Sequence, residues 1–145
     1  MPESAVHISL VEEILDYAQH RFNGSPGVMI LADLPTTPSS EKPPRVGGYA
    51  PDVYATEVPR ATVLIGEAKS QEDLTTPHSR DQIVAFLKFL RYQQRGIFVL
   101  AVPWHCFPSA QIVIATARRC LDLDSNTIEV VVLDGLKKRY CDTKA

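Results

Sequence analysis

The sequence predicts an α/β fold in one domain over residues 1–145: a central mixed sheet flanked by helices. Three observations point there. The chain has 145 residues, 45% hydrophobic and 22% charged, a size and balance that suit a single core. Short apolar runs such as "VMILA" and "GIFVLAVPW" lack polar alternation, as interior strands do. These runs are interleaved with segments of helical period, which implies one sheet covered by helices on its faces.

Residues 7–22 carry Ile8, Val11, Leu15, Ala18 and Phe22 at helical spacing. "NGSPG" stops that helix, and "VMILA" (28–32) is a short buried strand. Residues 33–51, "DLPTTPSSEKPPRVGGYAP", form a long Pro/Ser-rich loop, a length usually tied to function or mobility. "DVYAT" (52–56) and "RATVLIGEAKS" (60–70) are two strands joined by a tight turn at "EVPR". After the polar connection "QEDLTTPHS", residues 80–95 form an amphipathic helix with Ile83, Phe86, Leu87, Leu90 and Gln94 on one face. Ser79 followed by Gln82 gives it a capping-box start. "GIFVLAVPW" (96–104) is a strand, residues 108–123 a helix, and "TIEVVVLDG" (127–135) a last strand. The tail is polar, with a basic cluster at Lys137, Lys138 and Arg139.

Composition narrows the function. The longest apolar run is too short to span a bilayer. The N-terminus is acidic where a signal peptide would be basic and then apolar, so a cytoplasmic location is expected. Cys106, Cys120 and Cys141 are too far apart for a CxxC-type zinc site, and their odd number argues against a disulfide framework. A net charge of −2 and a pI of about 6.1 argue against a broad basic surface for nucleic acid.

The chemistry concentrates in "IGEAKS" (65–70). Residues two apart on a strand share a face, so Glu67 and Lys69 continue the apolar row of Val63 and Ile65. A buried charge costs several kcal/mol unless it is paired or binds a metal. The pair therefore lies at a wet sheet edge, is salt-bridged, or belongs to a site. The hairpin decides among these, because folding it antiparallel sets Asp52 beside Glu67 and Lys69. Two adjacent carboxylates repel unless a cation lies between them. Two hard oxygen ligands suit Mg²⁺, with Mn²⁺ as a substitute. A lysine beside such an ion can activate water or stabilise charge on a phosphate. Asp33, after the first strand, is an alternative to Asp52 if the hairpin register differs.

Pro51-Asp52 followed by Glu67-Ala68-Lys69 resembles the signature of the PD-(D/E)XK nucleases. The element order over roughly residues 7–133 resembles that superfamily's αβββαβ restriction-endonuclease-like core, with an added C-terminal helix and strand. The resemblance implies a compact Mg²⁺-dependent DNA endonuclease, a phosphodiesterase that commonly works as a homodimer. In that reading Asp52, Glu67 and the carbonyl of Ala68 hold the metal, and Lys69 positions or activates the water. The superfamily often adds a first-helix glutamate. Glu12, about 80° from the centre of the expected apolar stripe, is chosen over Glu13, which lies nearly opposite it. Gln82 corresponds to a glutamine that hydrogen-bonds the lysine or the water. His78 and Arg80 would line the substrate side together with Asp73 and Thr76. Lys88, Arg91 and Arg95 could track a phosphate backbone, although such rows are more often solvated faces. The low net charge departs from basic junction-resolving members. The competing expectations are an inactive module of the same fold that binds nucleic acid or a protein partner, and a regulatory protein docking through residues 33–51.

Overall fold

The computed structural model describes residues 4–122, 128–135 and 139–141. Lys137 and Lys138 of the basic cluster fall outside them. Helix α1 (Ala5–Arg21) begins at Ser4, whose hydroxyl accepts the His7 N–H at 3.1 Å, satisfying one of the free donors of the first turn. Strand β1 (Val28–Ala32) follows. Next comes a long loop containing a single 3-10 turn at Ser39–Glu41 and an isolated bridge between Val46 and Tyr49. Strands β2 (Val53–Glu57) and β3 (Thr62–Ala68) form the hairpin. A one-turn helix α2 (Gln71–Leu74) then leads into α3 (Pro77–Leu90), β4 (Arg95–Ala101), a 3-10 turn at Trp104–Cys106, α4 (Phe107–Cys120), β5 (Ile128–Leu133) and β6 (Arg139–Cys141).

The strands pair in chain order to give one mixed sheet. β1, β2 and β3 form an antiparallel meander, β3, β4 and β5 are parallel, and β6 closes the far edge antiparallel. Both parallel steps are made through helices, α3 and α4, as parallel neighbours require. The sheet is apolar on both faces. Ile65, Phe98, Leu100, Val130 and Val132 pack against Ile83, Phe86, Leu87 and Leu90 of α3 and Ile114 of α4. On the other face Val53, Ala55, Leu64, Val99, Val131 and Leu133 pack under α1. All seven residues of β3 are buried, which places the charged end of that strand in the middle of the molecule.

Several expectations are corrected. The buried stripe of α1 is Leu10, Val11, Ile14, Tyr17 and Ala18, rotated from the expected stripe by more than half a residue step. Leu10, Ile14 and Tyr17 recur at the same helical spacing as Val11, Leu15 and Ala18, and they form the larger apolar load. α3 starts at Pro77 rather than at residue 80. Its cap is Thr76, whose hydroxyl accepts the Ser79 N–H at 3.1 Å, with Pro77 in the first turn. No capping box forms at Ser79, which is buried inside the helix. The helix ends at Leu90, so Gln94 and Arg95 are not on it. There the chain turns back so closely that a Cβ on Gly96 would lie 2.8 Å from the Leu90 carbonyl oxygen. The hairpin loop is 58–61, and Ala61 takes a left-handed conformation (φ 51°). The polar tail contributes strand β6, which its composition hides.

Candidate active site

The hairpin register pairs Val53 with Gly66, which sets Asp52 opposite Glu67 at the end of β3. Asp52, Glu67 and Lys69 are 8%, 4% and 7% exposed, too little to be solvated strand ends. The β2–β3 pairing continues through them: the Asp52 N–H donates to the Gly66 carbonyl at 3.1 Å and lies 3.2 Å from Glu67 Oε1. The Ala68 N–H donates to Asp52 Oδ2 at 2.9 Å. The Asp52 carboxylate is thus fixed by the backbone of the strand that carries its partners.

Lys69 leaves β3 with its N–H on the Ala101 carbonyl of β4 at 3.0 Å. Its Nζ reaches Glu67 Oε2 at 3.0 Å and donates to Gln82 Oε1. Gln82 is buried one turn into α3, so the helix start, set by Thr76 and Pro77, aims the amide at the lysine. Two elements on one sheet face therefore hold the ammonium in a defined place. Burial, together with the neighbouring Asp52 carboxylate, pushes the Glu67 carboxyl well above its ordinary range, against the opposing pull of Lys69. The site carries more negative charge than its one lysine relieves.

A hard divalent cation fits this donor set. Asp52 and Glu67 supply carboxylate oxygens, and the charge that raises Glu67 is what an ion would offset. Among the described residues, no three His, Cys, Asp or Glu side chains converge to hold a metal. The Ala68 carbonyl, water and substrate oxygens would have to complete the coordination.

Glu12 is exposed. With the stripe centred on Ile14 it lies about 160° away, so it points to solvent and not to the site. Glu13 is the half-buried one of the pair. The residue that α1 does bring to the site is His7. Its Nε2 lies 3.5 Å from Asp52 Oδ1, and the ring is 25% exposed. The signal for it was present in the sequence, since His7, Leu10, Val11 and Ile14 share one helical face, but the misplaced stripe hid it.

Asp33 does not replace Asp52. Its N–H donates to the Asp52 carbonyl at 2.8 Å, while its carboxylate pairs with Lys42 at 2.7 Å. His78 and Arg80 are exposed on the first turns of α3, and His78 lies edge-on to Tyr49 with ring centres 5.5 Å apart. Thr76 instead caps α3, and the Asp73 N–H donates at 3.3 Å to the Ser70 hydroxyl that caps α2. Lys88 is exposed, about 9 Å along the axis from Gln82. Arg91 is tied to the Leu121 carbonyl at 3.1 Å and lies over the Tyr92 ring. Arg95 stands opposite Thr62, about 20 Å away at the other end of β3. Lys88, Arg91 and Arg95 therefore do not form one row.

A cavity of about 180 Å³ lies at that other end, lined by Arg21, Glu57, Arg60, Thr62, Arg95 and Glu129 among others. Arg21 there pairs with Glu129, and Arg60 lies 4.0 Å from Glu57, so most of its charges are taken up by one another. Among the described residues no helix is long and apolar enough to cross a membrane.

At this stage the molecule is defined as a mixed α/β protein with a buried Asp–Glu–Lys–Gln cluster at the end of a central strand. In comparison with known proteins, no family model, no curated protein and no solved structure matches the chain.

Proposed function

We propose that the chain is a metal-dependent DNA endonuclease of the PD-(D/E)XK type, hydrolysing phosphodiester bonds. The observation that supports this most is the meeting of Asp52, Glu67 and Lys69 at the end of β3, with Gln82 on the lysine. The element order α1, β1–β2–β3, α3, β4 agrees with that superfamily's αβββαβ core, and α4 and β5 are the expected addition.

In this reading Asp52, Glu67 and the Ala68 carbonyl hold Mg²⁺, with Mn²⁺ able to substitute. When bound, the ion supplies Lewis-acid stabilisation of the phosphate and a more acidic water. The remaining work is done by the protein. The Ala68 N–H fixes the angle of the Asp52 carboxylate. Glu67 and Gln82 hold the Lys69 ammonium where it can orient a water and meet charge developing on the phosphate oxygens. Pre-setting these groups removes reorganisation from the reactive step. A homodimer in the cytoplasm, as compact members of the superfamily often are, belongs to the same proposal.

The test is a panel of supercoiled plasmid, linear duplex, single strand, flap and four-way junction with Mg²⁺ or Mn²⁺. Cleavage should require metal and vanish in Asp52→Ala and Glu67→Ala. Wild-type rates in either purified variant would refute the proposal.

One observation favours a second reading, an inactive module of the same fold that binds nucleic acid or a protein. Lys69 and Glu67 pair directly at 3.0 Å, so the cluster is partly satisfied without an ion. Calorimetry separates the two, since an absence of binding at millimolar Mg²⁺ or Mn²⁺ supports the module.

A further inference from the structure

The C-terminal rim of the sheet carries an aromatic feature that the Asp–Glu–Lys cluster does not use. Trp104 follows β4, the strand bonded to β3 beside Lys69, and it is 64% exposed. A single exposed ring is ordinary on a protein surface. Trp104 differs in how it is held. Pro103 precedes it, it opens a 3-10 turn closed by the buried Cys106, and the Cys106 N–H donates to the Pro103 carbonyl at 2.8 Å. His105 lies edge-on to the indole with ring centres 5.5 Å apart. The same His105 bonds Gln71 Oε1 at 3.0 Å, two residues beyond Lys69. The ring is thus fixed to the segment that leaves the site.

A second aromatic pair stands on the other flank. Tyr49, just before Asp52 and β2, contacts His78 on α3, one turn before Gln82. Since β3 lies between β2 and β4 in the sheet, the two pairs flank the cluster.

The cations of the rim point the same way. Lys69 is held by Glu67 and Gln82, Lys42 by Asp33, and Arg45 by the Gly48 carbonyl at 2.8 Å. Arg80 is exposed nearby, but Glu72, Asp73 and Asp81 are exposed there as well. Duplex DNA is held chiefly through its phosphates by such cations. Stacking needs no cation, is indifferent to sequence, and contributes about 1–3 kcal/mol per base.

We propose that Trp104 is a base-stacking platform and that the substrate presents unpaired bases at this site: single-stranded nucleic acid, or a single-stranded stretch within a branched one. The proposal deepens the nuclease reading and rests on it for the site's identity. A second copy of the chain covering Trp104 is the competing occupant.

Trp104 is the only tryptophan in the chain, so intrinsic fluorescence reports on it alone. The full-length protein in EDTA is titrated with a 15-nucleotide oligo(dT), the matching oligo(rU) and a blunt duplex of the same length. Saturable quenching by the single strands is expected, with affinity at least about tenfold above the duplex. Trp104→Ala, followed by anisotropy of a labelled strand, should weaken single-strand binding by about 5- to 100-fold. Trp104→Tyr should stay within about threefold. Equal or tighter duplex binding, or no quenching, overturns the proposal. So does a concentration-dependent fluorescence shift without nucleic acid that tracks a doubling of mass in sedimentation. Cleavage in Mg²⁺ is the separate readout of the nuclease reading. Single-strand quenching without cleavage would break that reading and sustain the platform. Metal-dependent duplex cleavage indifferent to Trp104→Ala would do the reverse.

Discussion

The two ends of the sheet each bury a glutamate on the β2–β3 hairpin, and the two are held in opposite ways. At the start of β3, Glu57 accepts from the Thr62 hydroxyl at 3.2 Å and has Arg60 within 4.0 Å. Hydrogen bonding from Ser25 and Thr62, with help from Arg60 and Arg21, holds its carboxyl below the ordinary range. Close by, Arg21 makes a two-pronged contact with Glu129 at 2.6 and 2.7 Å. At the other end, Glu67 shares its surroundings with Asp52, and burial pushes its carboxyl up. One end is a settled ion cluster that stabilises the fold. The other keeps a charge that its one lysine does not fully relieve. A buried carboxylate is therefore not diagnostic by itself. The direction in which its surroundings move its protonation is what distinguishes the two ends.

The largest expected effect tests whether only one end is chemical. Lys69→Met should lower metal-dependent cleavage by about 10²- to 10³-fold, while Arg60→Ala at the settled end stays within about threefold. Comparable losses in both would break the comparison.

Next is the packing that supports the Asp–Glu–Lys end. A Cβ on Gly66 would run into Ile14 of α1 and press on Val53 at 3.2 Å. Gly66→Ala should cost about 1–3 kcal/mol, read from the urea midpoint.

The pH dependence sharpens the contrast further. Glu67 has a raised folded pKa, so its ionisation opposes folding. Its contribution is fully present below the ordinary value of 4.5 and is lost as pH rises through the raised value. Glu67→Gln should therefore melt higher than wild type, by a margin that grows from pH 5 to pH 8 and shrinks when Mg²⁺ is added. Glu57 has a depressed folded pKa, so its contribution is present above 4.5 and is lost as pH falls through the depressed value. Glu57→Gln should melt lower than wild type at pH 7 and converge with it in acid. Thermal melts across this range check both signs.

Smaller effects follow. Arg21→Ala should cost about 0.5–1 kcal/mol, because the Arg21–Glu129 contact is partly exposed. Glu12→Ala should change neither stability by more than about 0.5 kcal/mol nor cleavage, since Glu12 faces solvent. A large loss of cleavage in Glu12→Ala would overturn the orientation of α1.

How much of this could be read in the sequence depended on the period each segment carries. β1 was readable to the residue because "VMILA" is bounded by "NGSPG" and by the Pro-rich loop. The hairpin was readable because its turn is short, but counting outward from the expected turn at 57–60 puts Asp52 opposite Ile65, and the observed loop at 58–61 shifts it opposite Glu67. α1 was readable as a helix but not in rotation. Apolar residues at 10, 11, 14, 15, 17 and 18 support two overlapping stripes, and only packing on the sheet chooses one. That choice exposed Glu12 and brought in His7. The boundaries of α3 misled because Thr76–Pro77 and Ser79–Gln82 are both plausible starts. β6 stayed hidden because an edge strand can be polar.

The sequence by itself determined the alternation of elements, the hairpin, and the acids and lysine at one strand end. Those are local properties: side-chain period, turn chemistry and counting along a short connection. Only the tertiary structure decided that this strand end is buried, that Gln82 reaches Lys69, that His7 rather than Glu12 comes from α1, and that Trp104 stands on the same rim. Each of these depends on how separate elements pack across the sheet, and a period within one element does not contain that.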